Sequence, residues 1–213
     1  NQRSSAGLII TEGTSPSCNG LGYARIPGIF SELQVQGWKK TTTAVHRNGG
    51  KIFVQLMHSG RISHPLNMHK DAHILAPSAV KAAGQMWTDL KGLQDFIVPK
   101  EMTQQEILHA RTEYVAASEN ALFAGFDGVE LHSANGYLLE EFLSPVSNIR
   151  TDNYGGSIEN RLKFPLRVFK AMRSEFPQSK PMSVRISATD WAEDSITEED
   201  IMTMATAFKT AGA

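Results

Sequence analysis

The chain has 213 residues, 41% of them hydrophobic and 20% charged, with 21 Lys and Arg against 22 Asp and Glu for a formal net charge of −1. That balance predicts one folded domain over residues 1–213 and argues against disorder, a fibrous architecture or a nucleic-acid-binding surface. A single cysteine, Cys18, excludes an internal disulfide framework and makes a reducing, cytoplasmic setting the default, while the absence of a long apolar run or leader predicts no membrane segment.

The elements follow in order. Ala6 to Gly13 is a short apolar run that suits a buried strand. Ser31 stands as an N-cap before Glu32 and Gln34, and a broadly helical apolar pattern runs on to Gly49-Gly50. Lys51 to Met57 reads as a second strand and Thr103 to Ala124 as a helix opened by a capping threonine, with a long polar loop between them. Phe126 to His132 is a third strand, Asn160 to Glu175 a helix, and Met182 to Ala188 a fourth strand. Thr197 to Ala211 is a last helix with Thr197 and Asp200 placed as a capping box. Four β-then-α units imply a parallel sheet, either doubly wound or closed into a (β/α)₈ barrel. Polar residues recur at each strand's C-terminal end: Glu12 and Gly13, Gln55 and His58, His132 and Asn135, Arg185 and Ser187. Catalytic groups gather at that rim in barrels, so the barrel is the expected architecture. Starting at Asn1 and stopping at Ala211-Gly212-Ala213, the chain is expected to be an internal piece of a longer protein.

The segment from Glu130 to Tyr137 puts an imidazole, a carboxamide and a phenol just after a buried strand. His132 and Asn135 can both donate to one oxygen, where preorganised donors count most as negative charge develops. Tyr137 is a weak acid able to protonate an enolate carbon, and Gly136 lets the backbone turn beneath it. Taken singly, a His after a strand can also bond a carbonyl and a Tyr can simply pack. His58 and His64 lack companion ligands at metal-binding spacing, so no metal is expected. His46, His69, His73 and His109 are read as surface or loop residues, and Cys18 lacks a neighbouring base. Asn148, Arg150, Asp152, Tyr154 and Arg161 are read as braces for the loop after the third strand, and Arg61 as a partner in a structural salt bridge.

Four segments carry a specific resemblance: residues 8–13 (LIITEG), 53–61 (FVQLMHSGR), 132–137 (HSANGY) and 148–161 (NIRTDNYGGSIENR). Over essentially its whole length the sequence resembles the Old Yellow Enzyme family of FMN-dependent oxidoreductases. The resemblance implies a (β/α)₈ barrel, seen here over about strands two to five, with the first and last three strands absent. It implies non-covalent FMN reduced by NADPH or NADH and reoxidised by an electron-poor alkene, typically an α,β-unsaturated carbonyl. On that pattern His132 and Asn135 bind the activating oxygen of a small-molecule substrate and Tyr137 donates the proton. Gln55 meets the flavin pyrimidine edge, Gly13 lies where backbone approaches the ring, Arg185 sits near the flavin N1 and O2 side, and Tyr23 lines the substrate pocket. A homo-oligomer is common in such families. The expected alternatives are the flavin barrel of a multidomain enzyme resembling dienoyl-CoA reductase or trimethylamine dehydrogenase, or a non-catalytic barrel piece. The isolated 213 residues are expected to bind FMN poorly.

Overall fold

The computed structural model describes residues 2–213. In chain order its elements are β1 (Ile9–Thr14), α1 (Glu32–His46), β2 (Ile52–Leu56), β3 (Leu75–Ala76), β4 (Gln85–Thr88), β5 (Gly92–Asp95), β6 (Lys100–Glu101), α2 (Gln104–Phe123), β7 (Gly128–Ser133), α3 (Leu138–Leu143), α4 (Ile158–Arg161), α5 (Lys163–Glu175), β8 (Met182–Ile186) and α6 (Glu198–Thr210). The main sheet is four-stranded in the order β1-β2-β7-β8, and every neighbouring pair is parallel. Each crossover therefore steps one strand onward in the same direction. A doubly wound sheet reverses that direction at a switch point, and these four strands contain none. The geometry is that of part of a barrel.

Strand alternation divides the sheet into two faces. Val54 and Leu56 of β2 and Val129 and Leu131 of β7 are fully buried, and they join a core with Tyr114, Ala117 and Ala121 of α2 and Phe164, Val168 and Phe169 of α5. The other face carries Phe53, Gln55 and Met57, then Gly128, Glu130 and His132, then Ser183 and Arg185. Cα partners across the ladder align Phe53 with Gly128, Gln55 with Glu130, Glu130 with Ser183, and His132 with Arg185. The inner face is thus layered: an aromatic floor where the Phe53 ring occupies the space a Cβ on Gly128 would need, a polar middle layer, and a rim of Met57, His132 and Arg185.

Helix starts are set locally. Ser31 with Gln34, Thr103 with Glu106 and Thr197 with Asp200 each close a reciprocal capping box at the head of α1, α2 and α6. Several sequence expectations are corrected. The first strand begins at Ile9 rather than Ala6, the third at Gly128 rather than Phe126, and the fourth ends at Ile186 rather than Ala188. The helix expected over Asn160–Glu175 starts earlier and is broken into α4 and α5 at Leu162. Pro165 explains the break, because it lacks the N–H that would bond the Arg161 carbonyl and its ring crowds that carbonyl. The polar loop of residues 58–102 holds two small sheets, β3 with β6 and the β4–β5 hairpin. Met86 and Phe96 of the hairpin region form a second small core with Ala82, against which Tyr23 and Ile62 pack.

The motif after β7 does brace the loops. Asn148 donates to the carbonyls of Phe142 and Tyr154 at 2.7 and 2.8 Å, and Arg150 donates to those of Pro77 and Met102, both at 2.8 Å. Arg161 binds the Gly156 and Leu143 carbonyls and Asp200. Arg61, expected in a salt bridge, has no ion pair among the described residues; it donates to the Val80 carbonyl at 3.2 Å, and its Nε is buried without a partner.

Candidate active site

The rim of the inner face opens on a cavity of about 420 Å³. Gly13, Tyr23, Gln55, His132, Asn135, Tyr137 and Arg185 all line it, so the seven residues that the family resemblance places at the site come to one place. Glu12, Ala24, Ile26 and Met57 also contribute to the wall. Met57 was legible as the next inward residue after Gln55 on the same strand, whereas Ala24 and Ile26 lie in an irregular segment that carries no periodic signal.

Each element delivers its residue for a local reason. In β1 the register slips between Ile10 and Gly13, and Thr11 Oγ1 accepts the Gln55 backbone N–H at 3.0 Å in place of a ladder bond. Such a bulge re-aims the chain at a strand end, here turning Gly13 toward the cavity. A Cβ on Gly13 would come within 2.5 Å of Met57 Sδ, so only glycine lets Met57 lie across it.

β7 ends by presenting His132, which is buried. Burial, reinforced by the nearby Arg185 charge, pushes its pKa from 6.5 down to about 4. The ring is therefore neutral at pH 7, with one N–H to donate. Its Nδ1 is buried with no partner among the described residues. Asn135 follows in the left-handed region (φ 63°), a conformation Asn tolerates better than most residues. Its backbone N–H is fixed to Ser187 Oγ beyond β8 at 3.0 Å. Gly136 (φ 82°) completes the turn.

Tyr137 then sets its ring edge-on to His132, with centroids 5.1 Å apart, and its hydroxyl 3.0 Å from that of Tyr23. Burial, the hydroxyl contact and the Tyr137 field push Tyr23 well above the usual phenol range. Tyr23 therefore keeps its proton and is suited to act as the donor of the pair. In the polar middle layer, Gln55 Nε2 donates to Glu130 Oε1 at 2.7 Å, and Ser183 Oγ donates to Glu130 Oε2 at 3.3 Å. Arg185 is exposed and makes no hydrogen bond or ion pair among the described residues. Behind Tyr137, α3 buries two carboxyls. Burial and the facing Asp190 raise Glu140 to about 8. Glu141, also held well above its usual value by burial, accepts the Arg61 backbone N–H at 2.7 Å.

The cavity thus offers a neutral imidazole donor, a carboxamide, a phenol pair, an uncommitted guanidinium and a carboxamide acceptor on its floor. Residues 1–212 match the NADH:flavin oxidoreductase / NADH oxidase family. The chain belongs to that family. A probable flavin mononucleotide-dependent alkene reductase of Leishmania infantum is 42% identical over 204 residues, covering 93% of this chain and 55% of the relative. A putative 12-oxophytodienoate reductase-like protein of Arabidopsis thaliana is 37% identical over 193 residues, covering 90% and 57%. Among solved structures, morphinone reductase superposes with a TM-score of 0.91 at 38% identity over 99% of this chain and 58% of that one. The Old Yellow Enzyme homologue of Zymomonas mobilis gives 0.91 at 36% identity, covering 99% and 59%. The chain therefore spans little more than half the length of these members of the NADH:flavin oxidoreductase family. With the sequential parallel order, the superpositions make the fold a partial Old Yellow Enzyme-type (β/α) barrel. Among the described residues no helix is long and apolar enough to cross a membrane.

Proposed function

We propose that these residues form the substrate-activating and proton-donating side of an FMN-dependent ene-reductase site acting on α,β-unsaturated carbonyls or related electron-poor alkenes. The observation that carries the reading is the convergence of neutral His132, Asn135 and the Tyr137–Tyr23 hydroxyl pair on one cavity that also holds Gln55 and the unpaired Arg185. The residues suit a flavin. Arg185 is a free cation for the edge that becomes anionic on reduction, Gln55 offers an acceptor to an imide N–H, and Gly13 brings backbone close without a side chain. When bound, FMN would supply hydride transfer from NADPH or NADH to the alkene carbon β to the activating carbonyl group.

The protein's own part is electrostatic and protonic. His132 and Asn135 donate hydrogen bonds to the substrate oxygen, where charge grows as the β-carbon is attacked. Tyr137 gives its phenolic proton to the α-carbon, and Tyr23, whose phenol burial holds well above its usual range, donates a hydrogen bond to the resulting phenolate. The exposed, unpaired Cys18 supports a reducing, cytoplasmic setting.

The test is anaerobic stopped-flow absorbance on the full-length gene product, mixing NADPH and then 2-cyclohexenone, with wild type and Tyr137→Phe. Flavin should bleach with NADPH and recover with the enone, and Tyr137→Phe should slow only the recovery, by roughly 10²-fold or more as expected for a lost general acid. Reduced flavin that ignores the enone would overturn the reading.

A further inference from the structure

Next to Gln55 on the inner face stands Glu130, a side chain that does not line the cavity and whose placement is nonetheless specific. Gln55, Glu130 and Ser183 are Cα partners on three adjacent parallel strands, so their side chains share one layer of the inner face. Glu130 is gripped on both sides: Oε1 takes the Gln55 Nε2 hydrogen at 2.7 Å and Oε2 takes the Ser183 hydroxyl at 3.3 Å. A carboxylate has acceptors only, so it can meet only the NH₂ end of a carboxamide. The carbonyl end, Gln55 Oε1, is then left for the cavity that Gln55 lines, and the one side-chain hydrogen bond Gln55 makes among the described residues is through Nε2. An unheld carboxamide can turn over and present either end, and so recognises donors and acceptors alike.

We propose that Glu130 is a positioning residue: it locks Gln55 as a pure hydrogen-bond acceptor and so selects a ligand edge carrying an N–H, such as the imide N3–H of the flavin pyrimidine. This rests on the flavin reading above and adds to it the cause of the orientation. Ser183 completes the device, since its bond to Oε2 keeps the carboxylate from swinging away from Gln55.

The experiment reads the N–H itself. The full-length gene product is loaded with FMN carrying ¹⁵N at N3, and solvent exchange of that proton is followed by ¹H–¹⁵N NMR in wild type, Glu130→Met and the exchanged pair Gln55→Glu with Glu130→Gln. In wild type the N3–H is protected. Glu130→Met frees the carboxamide to turn, and exchange should speed by roughly tenfold or more, the weight of one buried hydrogen bond. The exchanged pair places an acceptor-only carboxylate at 55, held by the NH₂ of Gln at 130, and should restore protection. Equal exchange in wild type and Glu130→Met, with FMN bound in both, overturns the inference while leaving the flavin reading intact. A folded exchanged pair that fails to restore protection also overturns it, because a packing role would not depend on which strand carries the acid. If Glu130→Met does not fold, the exchanged pair decides alone. Absence of FMN binding by wild type, read by flavin fluorescence, sinks the flavin reading and this inference with it.

Discussion

His58 provides a quantitative check on the frame beneath the candidate site. It follows β2, its Nδ1 accepts the Gly60 N–H at 3.1 Å, and its carbonyl accepts the Leu138 N–H at the head of α3 at 3.0 Å. Nε2 is buried without a partner among the described residues. Complete burial pushes the imidazole from 6.5 down to about 3. The folded state therefore resists protonation, while the unfolded chain takes up a proton near pH 6.5. Stability from this group is full above pH 6.5 and is lost progressively as pH falls toward 3. Taking those two values, the loss between pH 7.5 and 4.5 is about 3 kcal/mol. His58→Gln keeps an acceptor for Gly60 and removes the titration. Urea unfolding followed by circular dichroism at the two pH values should show wild type exceeding His58→Gln by about 3 kcal/mol less at pH 4.5 than at pH 7.5. Glu140, raised to about 8, acts in the opposite sense, since its contribution is full below the unfolded pKa and fades as pH rises through 8. Because Glu140 is present in both proteins, its effect cancels in the difference. Parallel pH dependences for the two proteins would refute the burial argument.

Two further outcomes follow from the same geometry. Arg185→Ala should raise the His132 pKa above about 4, yet leave it below 6.5, because burial is the larger cause and the Arg185 charge the smaller; an NMR titration of the His132 ring that shows no rise would remove Arg185 from that account. Arg161→Ala should cost about 3–5 kcal/mol in urea unfolding, since it strips a buried guanidinium from Asp200 and two carbonyls; a loss below about 1 kcal/mol would show that the loop is held by other bonds.

The elements visible in the sequence are those whose signals are local. The Ser31, Thr103 and Thr197 caps mark helix starts because the capping box is built from residues three apart. The helix of residues 138–143 leaves no such trace: all six residues are buried, including Glu140 and Glu141, so no polar face exists to set a period. The break before α5 was signalled by Pro165 and overridden by the longer apolar pattern. At the site, residues at strand ends were legible because rim chemistry is displayed in sequence order. Glu130 was read as strand interior, and its meaning arises only when β2 and β8 come alongside. Arg61 looked like an ion-pair partner, but the nearby Glu141, whose carboxyl burial holds well above its usual range, accepts its backbone N–H instead.

The hairpin region that seats Tyr23 has its own packing centre, Ala82, Met86 and Phe96, separate from the barrel core. One wall of the cavity is therefore mounted on a unit that can be rebuilt without opening the seam between sheet and helices. Met86 and Phe96 support Tyr23, which lines the cavity, while His132 and Arg185 are carried by the strands of the main sheet. On the proposed function, changes that tune this cavity wall and changes that weaken the barrel core thus fall on different sets of residues.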